Sequence, residues 1–184
     1  MFQHISRIIL FKFMGWEHEV TVPYREKCII CVAPHTSNLD FFIAKLYYAA
    51  LGRHSDFLMK KEWFFWPLGI LFRKMGGIPV FRSKKCSLTD QLAEIAKHQQ
   101  RFQLAITPEG TRSLNAEWKK GFYYIAEKAN IPILLYAVDY QKKRIVCTKE
   151  LMASGNIEAD MRTIKEYYKD FTGKHPEKFT VGNL

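Results

Sequence analysis

The sequence predicts a single α/β domain: a largely parallel, twisted sheet of about seven strands flanked by helices, with an amphipathic helix at the amino terminus. Three observations carry this. Short apolar runs rich in β-branched residues alternate with segments of helical apolar spacing through the middle of the chain. The 184 residues allow one domain with a substantial core and fall short of two. No repeat, low-complexity tract or linker divides them. The expected divisions are an amphipathic segment over 1–15, a main domain over 16–173 and a polar tail over 174–184.

In order along the chain, Phe2, Ile5, Ile9 and Phe13 share one helical face with Trp16 beside them, while His4 and Arg7 lie opposite. Such a helix suits either a membrane interface or the protein's own core. Trp16 to Val22 alternates loosely and reads as a first strand ended by Pro23. Cys28-Ile29-Ile30-Cys31-Val32-Ala33 is a buried strand, and Phe41, Phe42, Ile43, Leu46, Tyr47 and Leu51 form a helix stopping at Gly52. Phe57 to Met59 is a short strand, Glu62 to Met75 a helix bent or interrupted around Pro67, and Ile78 to Phe81 the next strand. Ser87, with Asp90 three residues on, opens a helix through Leu88, Leu92, Ile95 and Ala96. A strand over Gln103 to Ile106 leads to the polar loop Thr107 to Ser113, and Phe122, Tyr123, Ile125 and Ala126 mark a helix. The strongest strand, Ile131 to Val138, is followed by an antiparallel partner over Arg144 to Cys147. A last helix starts at the N-cap Asn156 and ends before Gly173.

Composition bounds the partners. Apolar residues make up 48% and aromatics 15%, which excludes a disordered chain. A formal charge of +10 points to an acidic partner: nucleic acid, anionic lipid or a phosphorylated substrate. Lys and Arg are spread along the chain rather than gathered in a nucleic-acid motif. The four Cys show no disulfide framework, and Cys28 and Cys31 lie inside a strand, so core packing in a reducing cytoplasm is expected and no metal site. The longest uncharged run, Trp63 to Phe72, is about half the length of a spanning helix and contains Pro67 and Gly69.

Chemistry concentrates where strands end. Pro34-His35-Thr36-Ser37-Asn38-Leu39-Asp40 puts an imidazole in a strand-to-helix loop and a carboxylate in the first helical turn. A neutral His held at one nitrogen by a carboxylate is a positioned general base for a hydroxyl. The same residues also suit a plain helix cap, with Asp40 offsetting the positive end of the helix. Gly77-Ile78-Pro79-Val80-Phe81-Arg82 delivers a guanidinium at a strand end, and Thr107-Pro108-Glu109-Gly110-Thr111-Arg112 supplies a carboxylate, a glycine, a hydroxyl and a second guanidinium. Arg is shaped for bidentate phosphate binding, and Gly lets backbone N–H groups approach.

Together these blocks resemble those of the glycerolipid acyltransferases, the group typified by bacterial 1-acyl-glycerol-3-phosphate acyltransferase. His35 to Asp40 is similar to the family's H-x4-D block, Gly77 to Arg82 to its glycine-to-arginine block and Pro108 to Arg112 to its P-E-G-T-R block. Ile131-Pro132-Ile133-Leu134 resembles its last, proline-containing strand. Pro34 stands where many members have Asn, and Thr107 where many have Phe. The part before the first block is shorter than the membrane-anchoring region of many relatives.

The resemblance implies an acyltransferase that moves a fatty acyl chain from acyl-CoA or acyl carrier protein to a lysophospholipid hydroxyl, giving phosphatidic acid from 1-acyl-glycerol 3-phosphate. His35 and Asp40 are then catalytic, and Arg82, Glu109, Gly110, Thr111, Arg112 and Lys61 bind substrate. No cofactor or metal is expected beyond the acyl donor, nor any nucleic-acid partner. A peripheral place on the cytoplasmic face of the cell membrane, against an anionic surface, follows. Glycerol 3-phosphate or a lyso-aminolipid is the alternative acceptor. A basic, non-catalytic lipid- or nucleic-acid-binding module is the alternative from another class. There is no G-x-S-x-G elbow and Cys31 is expected to face the core, so direct transfer is favoured over an acyl-enzyme.

Overall fold

The structure, a computed structural model, describes residues 2–80 and 87–183. Helix α1 (Phe2–Arg7) runs into a π-helical turn, Ile8–Phe13, and then β1 (Glu17–Val20) and β2 (Lys27–Ala33). Helix α2 (Asn38–Ala50) leads to β3 (Asp56–Lys60), a 3-10 turn at Lys61–Trp63, α3 (Leu68–Lys74) and β4 (Gly77–Val80). After α4 (Leu88–His98) come β5 (Phe102–Ile106), α5 (Gly121–Ala129), β6 (Ile133–Asp139), β7 (Arg144–Leu151) and α6 (Ile157–Tyr168).

The seven strands form one sheet in the order β1-β7-β6-β2-β5-β3-β4. Every neighbouring pair is parallel except β6 with β7, so the β7–β1 end runs against the other five strands. β2 lies at the centre, pairing Cys31 with Ile106 of β5 and Ala33 with Ala137 of β6. Its continuous apolar run is explained by burial on both faces. Ile29, Cys31 and Ala33 join Leu92 of α4, Phe122 and Ile125 of α5 and Ile164 and Tyr168 of α6. Cys28, Ile30 and Val32 join Ile43, Tyr47 and Tyr48 of α2 with Leu10 and Trp16. The three described cysteines, Cys28, Cys31 and Cys147, are buried free thiols.

Most expected elements are present, and the differences have physical reasons. The expected helix from Glu62 is split, because Pro67 stands at the N-cap of α3 and separates it from the turn at Lys61–Trp63. The strand expected from Ile131 starts at Ile133, and the Pro132 carbonyl still accepts the Ile29 amide at 2.9 Å. Trp16 is buried in the core rather than opening β1, which starts at Glu17. Asn156 caps α6 as expected, accepting the Ala159 amide at 3.1 Å, while Ser87 sits at the N-cap of α4 without a side-chain bond.

The amino-terminal helix is both packed and apolar outside. Ser6 and Leu10 are buried and Gln3 reaches the Ala50 carbonyl at the end of α2, yet Ile5, Ile9 and Phe13 remain exposed, Phe13 by 82%. The carboxy-terminal tail also packs: Phe179 and Val181 lie on the core, and the Trp118 indole donates to the Thr180 carbonyl at 3.1 Å. Among the described residues, no helix is long and apolar enough to cross a membrane.

Candidate active site

Three adjacent strands, β6, β2 and β5, end side by side at their carboxyl ends, where open α/β sheets gather their ligands. The loop after β2 carries His35, the loop after β5 carries Glu109, and the turn after β6 carries Tyr140. These three loops meet.

Asp40 organises the first loop. Ser37 is the N-cap of α2, its side chain accepting the Leu39 amide at 3.2 Å, and Asp40 is the third helical residue. The chain therefore folds back so that Asp40 Oδ2 accepts the backbone N–H groups of Thr36 and Ser37, each at 2.8 Å. The same oxygen lies 3.1 Å from His35 Nδ1. Asp40 is only 2% exposed, and burial alone works to raise its pKa. Hydrogen bonds from His35, Tyr140 and the Ser37 amide outweigh burial and hold it below the usual carboxylate value. An ionised carboxylate only accepts, so Nδ1 is the donor in this contact, and in a neutral ring the lone pair then sits on Nε2. The His35 side chain is 18% exposed, and Nε2 has no hydrogen bond among the described residues.

The second oxygen of Asp40, Oδ1, accepts the Tyr140 hydroxyl at 2.7 Å. Nothing near Asp40 in the sequence signals this contact. Tyr140 follows β6 in a polar turn and belongs to none of the sequence blocks above. The Tyr140 ring stands edge-on to Trp16 with centroids 5.2 Å apart, and its N–H donates to the Thr172 carbonyl at 2.8 Å.

Glu109 lies beneath the loop rather than at its rim. It is 3% exposed, and its Oε1 accepts the His35 backbone N–H at 2.7 Å. Burial raises its carboxyl to about 7, against the His35 and Glu109 amides that favour the anion, and Oε2 has no partner among the described residues. The carboxyl group thus holds the His35 loop from below. Gly110 turns the chain at φ +66°, a left-handed conformation that favours glycine, and a Cβ there would lie 3.1 Å from Lys119 Cγ.

Of the other expected ligands, Thr111 and Arg112 are exposed in the same loop, with the Thr111 hydroxyl accepting the Ser113 amide at 3.2 Å. Arg112 makes no hydrogen bond or ion pair among the described residues. Lys61 opens the 3-10 turn after β3 and is exposed. Arg82 lies outside the described residues. No group of three His, Cys, Asp or Glu side chains among the described residues is arranged to hold a metal ion.

No curated protein sequence matches the chain. The crystal structure of the 1-acyl-sn-glycerophosphate (LPA) acyltransferase PlsC from Thermotoga maritima superposes with a TM-score of 0.58 at 17% identity, covering 94% of this chain and 80% of that one. That likeness shows a common fold. A family model, Acyltransferase, matches residues 17–138, the stretch from β1 through β6 that holds both the His35–Asp40 loop and Glu109. With that match over most of the sheet, the chain belongs to the acyltransferase family.

Proposed function

We propose that the protein transfers a fatty acyl chain from a thioester to the free hydroxyl of a lysophospholipid, with 1-acyl-glycerol 3-phosphate as acceptor and phosphatidic acid as product. The observation that carries the reading is the pairing of His35 with a carboxylate saturated by donors, which leaves Nε2 open at the end of the central strand. Nε2 takes the acceptor's hydroxyl proton as its oxygen attacks the thioester carbonyl. The tetrahedral oxyanion collapses, the C–S bond breaks, and the thiolate leaves with the proton returned by His35. Asp40 stabilises the imidazolium between these steps.

Direct transfer is supported by the state of the cysteines. Cys28, Cys31 and Cys147 are buried, and burial pushes each thiol well above the ordinary value, so none of the described cysteines offers a thiolate for an acyl-enzyme. In this reading Arg112, Thr111 and the Gly110 backbone meet the acceptor phosphate, and the sequence assigns Arg82 and Lys61 to the same task. Glu109 contributes from beneath through the His35 amide. No cofactor is invoked besides acyl-CoA or acyl carrier protein as co-substrate. Acceptor and product are amphiphiles, so the reading places the enzyme peripherally on the cytoplasmic face of the cell membrane.

Thiol release from an acyl thioester, measured with and without 1-acyl-glycerol 3-phosphate, tests the proposal. Acceptor-dependent release by the native protein and its loss in His35→Ala are expected. No release with any lysolipid or with glycerol 3-phosphate would overturn it in favour of a non-catalytic lipid-binding module. Release with only glycerol 3-phosphate or a lyso-aminolipid would move the acceptor assignment there.

A further inference from the structure

We infer that Tyr140, held in place by the carboxy-terminal segment 172–175, is a positioning residue for the His35–Asp40 pair. The inference rests on the reading of His35 as general base. Both Tyr140 and the segment lie beyond the family match, which ends at residue 138.

The two oxygens of Asp40 are served from different places. Oδ2 takes all three of its donors from residues 35, 36 and 37, within its own loop. Oδ1 takes the Tyr140 hydroxyl, 100 residues away in sequence. Donors clustered on one oxygen anchor that oxygen but leave the carboxylate plane free to turn about it. A hydrogen bond on the other oxygen sets the plane, and with it the direction from which Oδ2 meets Nδ1. Burial and the bond to Asp40 raise the Tyr140 hydroxyl far above its ordinary pKa, so it stays a donor throughout the range in which the enzyme works.

The carboxy-terminal segment fixes both the tyrosine and the loop it serves. Its Thr172 carbonyl accepts the Tyr140 amide at 2.8 Å, and the His175 amide donates to the buried Thr36 hydroxyl at 3.1 Å. Between them, Gly173 lies so close to the loop that a Cβ would stand 2.8 Å from Thr36 Oγ1 and 3.1 Å from Pro34 Cβ. A segment with no helical or strand pattern therefore ties the turn after β6 to the loop after β2.

Tyr140→Phe is the test, since it removes the hydroxyl while keeping the ring against Trp16 and the amide on Thr172. Steady-state kinetics should show kcat down about tenfold and KM for donor and acceptor within about twofold, with a modestly lowered unfolding midpoint because Asp40 Oδ1 loses its donor. The acid limb of the kcat/KM profile should move to higher pH, because the protonated pair is favoured once Asp40 loses a donor. Among the described residues, the other titratable side chain against the pair is Glu109, bonded to the His35 amide and coupled to both His35 and Asp40. It is present in the two proteins compared, so the displacement reports the hydroxyl.

Wild-type kcat with an unmoved acid limb would overturn the inference, and so would a loss confined to KM or to the unfolding midpoint. If Tyr140→Phe does not fold, Thr36→Val carries the test from the segment's side: lower kcat with a displaced acid limb supports the inference, and a wild-type profile overturns it. Wild-type turnover by folded His35→Ala is a different result, since it removes the base reading itself. An inactive His35→Ala beside an unaffected Tyr140→Phe removes only the role of Tyr140.

Discussion

Asp40 meets two demands with one carboxylate. It closes the first turn of α2 by accepting the Thr36 and Ser37 amides, and it orients His35 through the same oxygen. Helix capping and imidazole orientation are thus one arrangement. Asp40→Asn keeps the size but loses the charge and puts an amide where Nδ1–H donates. By analogy with orienting carboxylates elsewhere, kcat should fall on the order of a thousandfold or more. The cost in stability should be about 1 kcal/mol, the usual value of a lost cap. Thioester turnover and chemical denaturation of the purified variant measure both.

Glu109 gives a second prediction. Its folded pKa, about 7, lies above the ordinary 4.5, so its contribution to stability is fully present below pH 4.5 and is lost as pH rises to 7. The loss is on the order of 2–3 kcal/mol. Asp40 acts with the opposite sign in a separate window, because its lowered pKa stabilises the fold above the ordinary carboxylate value and fails only in stronger acid. Denaturation midpoints between pH 5 and 8 should fall more steeply for the native protein than for Glu109→Gln. Parallel slopes would show that this carboxyl is ionised throughout.

At the scale of elements, the amino-terminal helix has two unlike faces. Leu10 is fully buried against α2 and the sheet, whereas Ile5 and Ile9 are about two-fifths exposed. Leu10→Ala should cost about 2–5 kcal/mol, the range for large-to-small changes in a core. Ile5→Ser and Ile9→Ser should cost well under that, about 0.5 kcal/mol each. Thermal denaturation of the three variants distinguishes a docked helix from a loosely attached one. The π-helical turn at Ile8–Phe13 suits the apolar spacing of Ile9 and Phe13, because its wider turn keeps residues four apart nearly in line.

Over the whole molecule, the exposed large apolar side chains bear on where the enzyme works. Phe13, Phe42, Trp63, Phe65 and Trp66 are all more than half exposed in a chain of net charge +10. Rings at an interface with cations around them are the arrangement that holds proteins on anionic bilayers. Sedimentation with anionic vesicles should pellet the protein, less so in high salt, since each nearby basic residue contributes about 1 kcal/mol. Making Ile5, Ile9 and Phe13 polar should reduce pelleting most if the amino-terminal helix is the anchor. Equal pelleting by that triple variant would shift the contact to Trp63, Phe65 and Trp66.

What the sequence determined by itself is what rests on near neighbours. The run Cys28 to Ala33 has one reading as a strand, and the Ser37–Asp40 spacing is a helix cap. The imidazole and carboxylate are five residues apart, so the loop alone brings them together. Alternation of such pieces implies a parallel sheet, because parallel strands need crossovers. Only the tertiary structure decided contacts made across that sheet. Glu109 reaches the His35 amide over 74 residues and Tyr140 reaches Asp40 over 100, each from a strand whose neighbour is fixed by sheet order rather than by sequence. The P-E-G-T-R block marks Glu109 as a site residue, but burial beneath the loop, not the block, sets what its carboxylate touches. The tail after Lys174 has no long period to read, because beyond one 3-10 turn at Pro176–Lys178 its longer-range bonds run outward to Thr36 and Trp118.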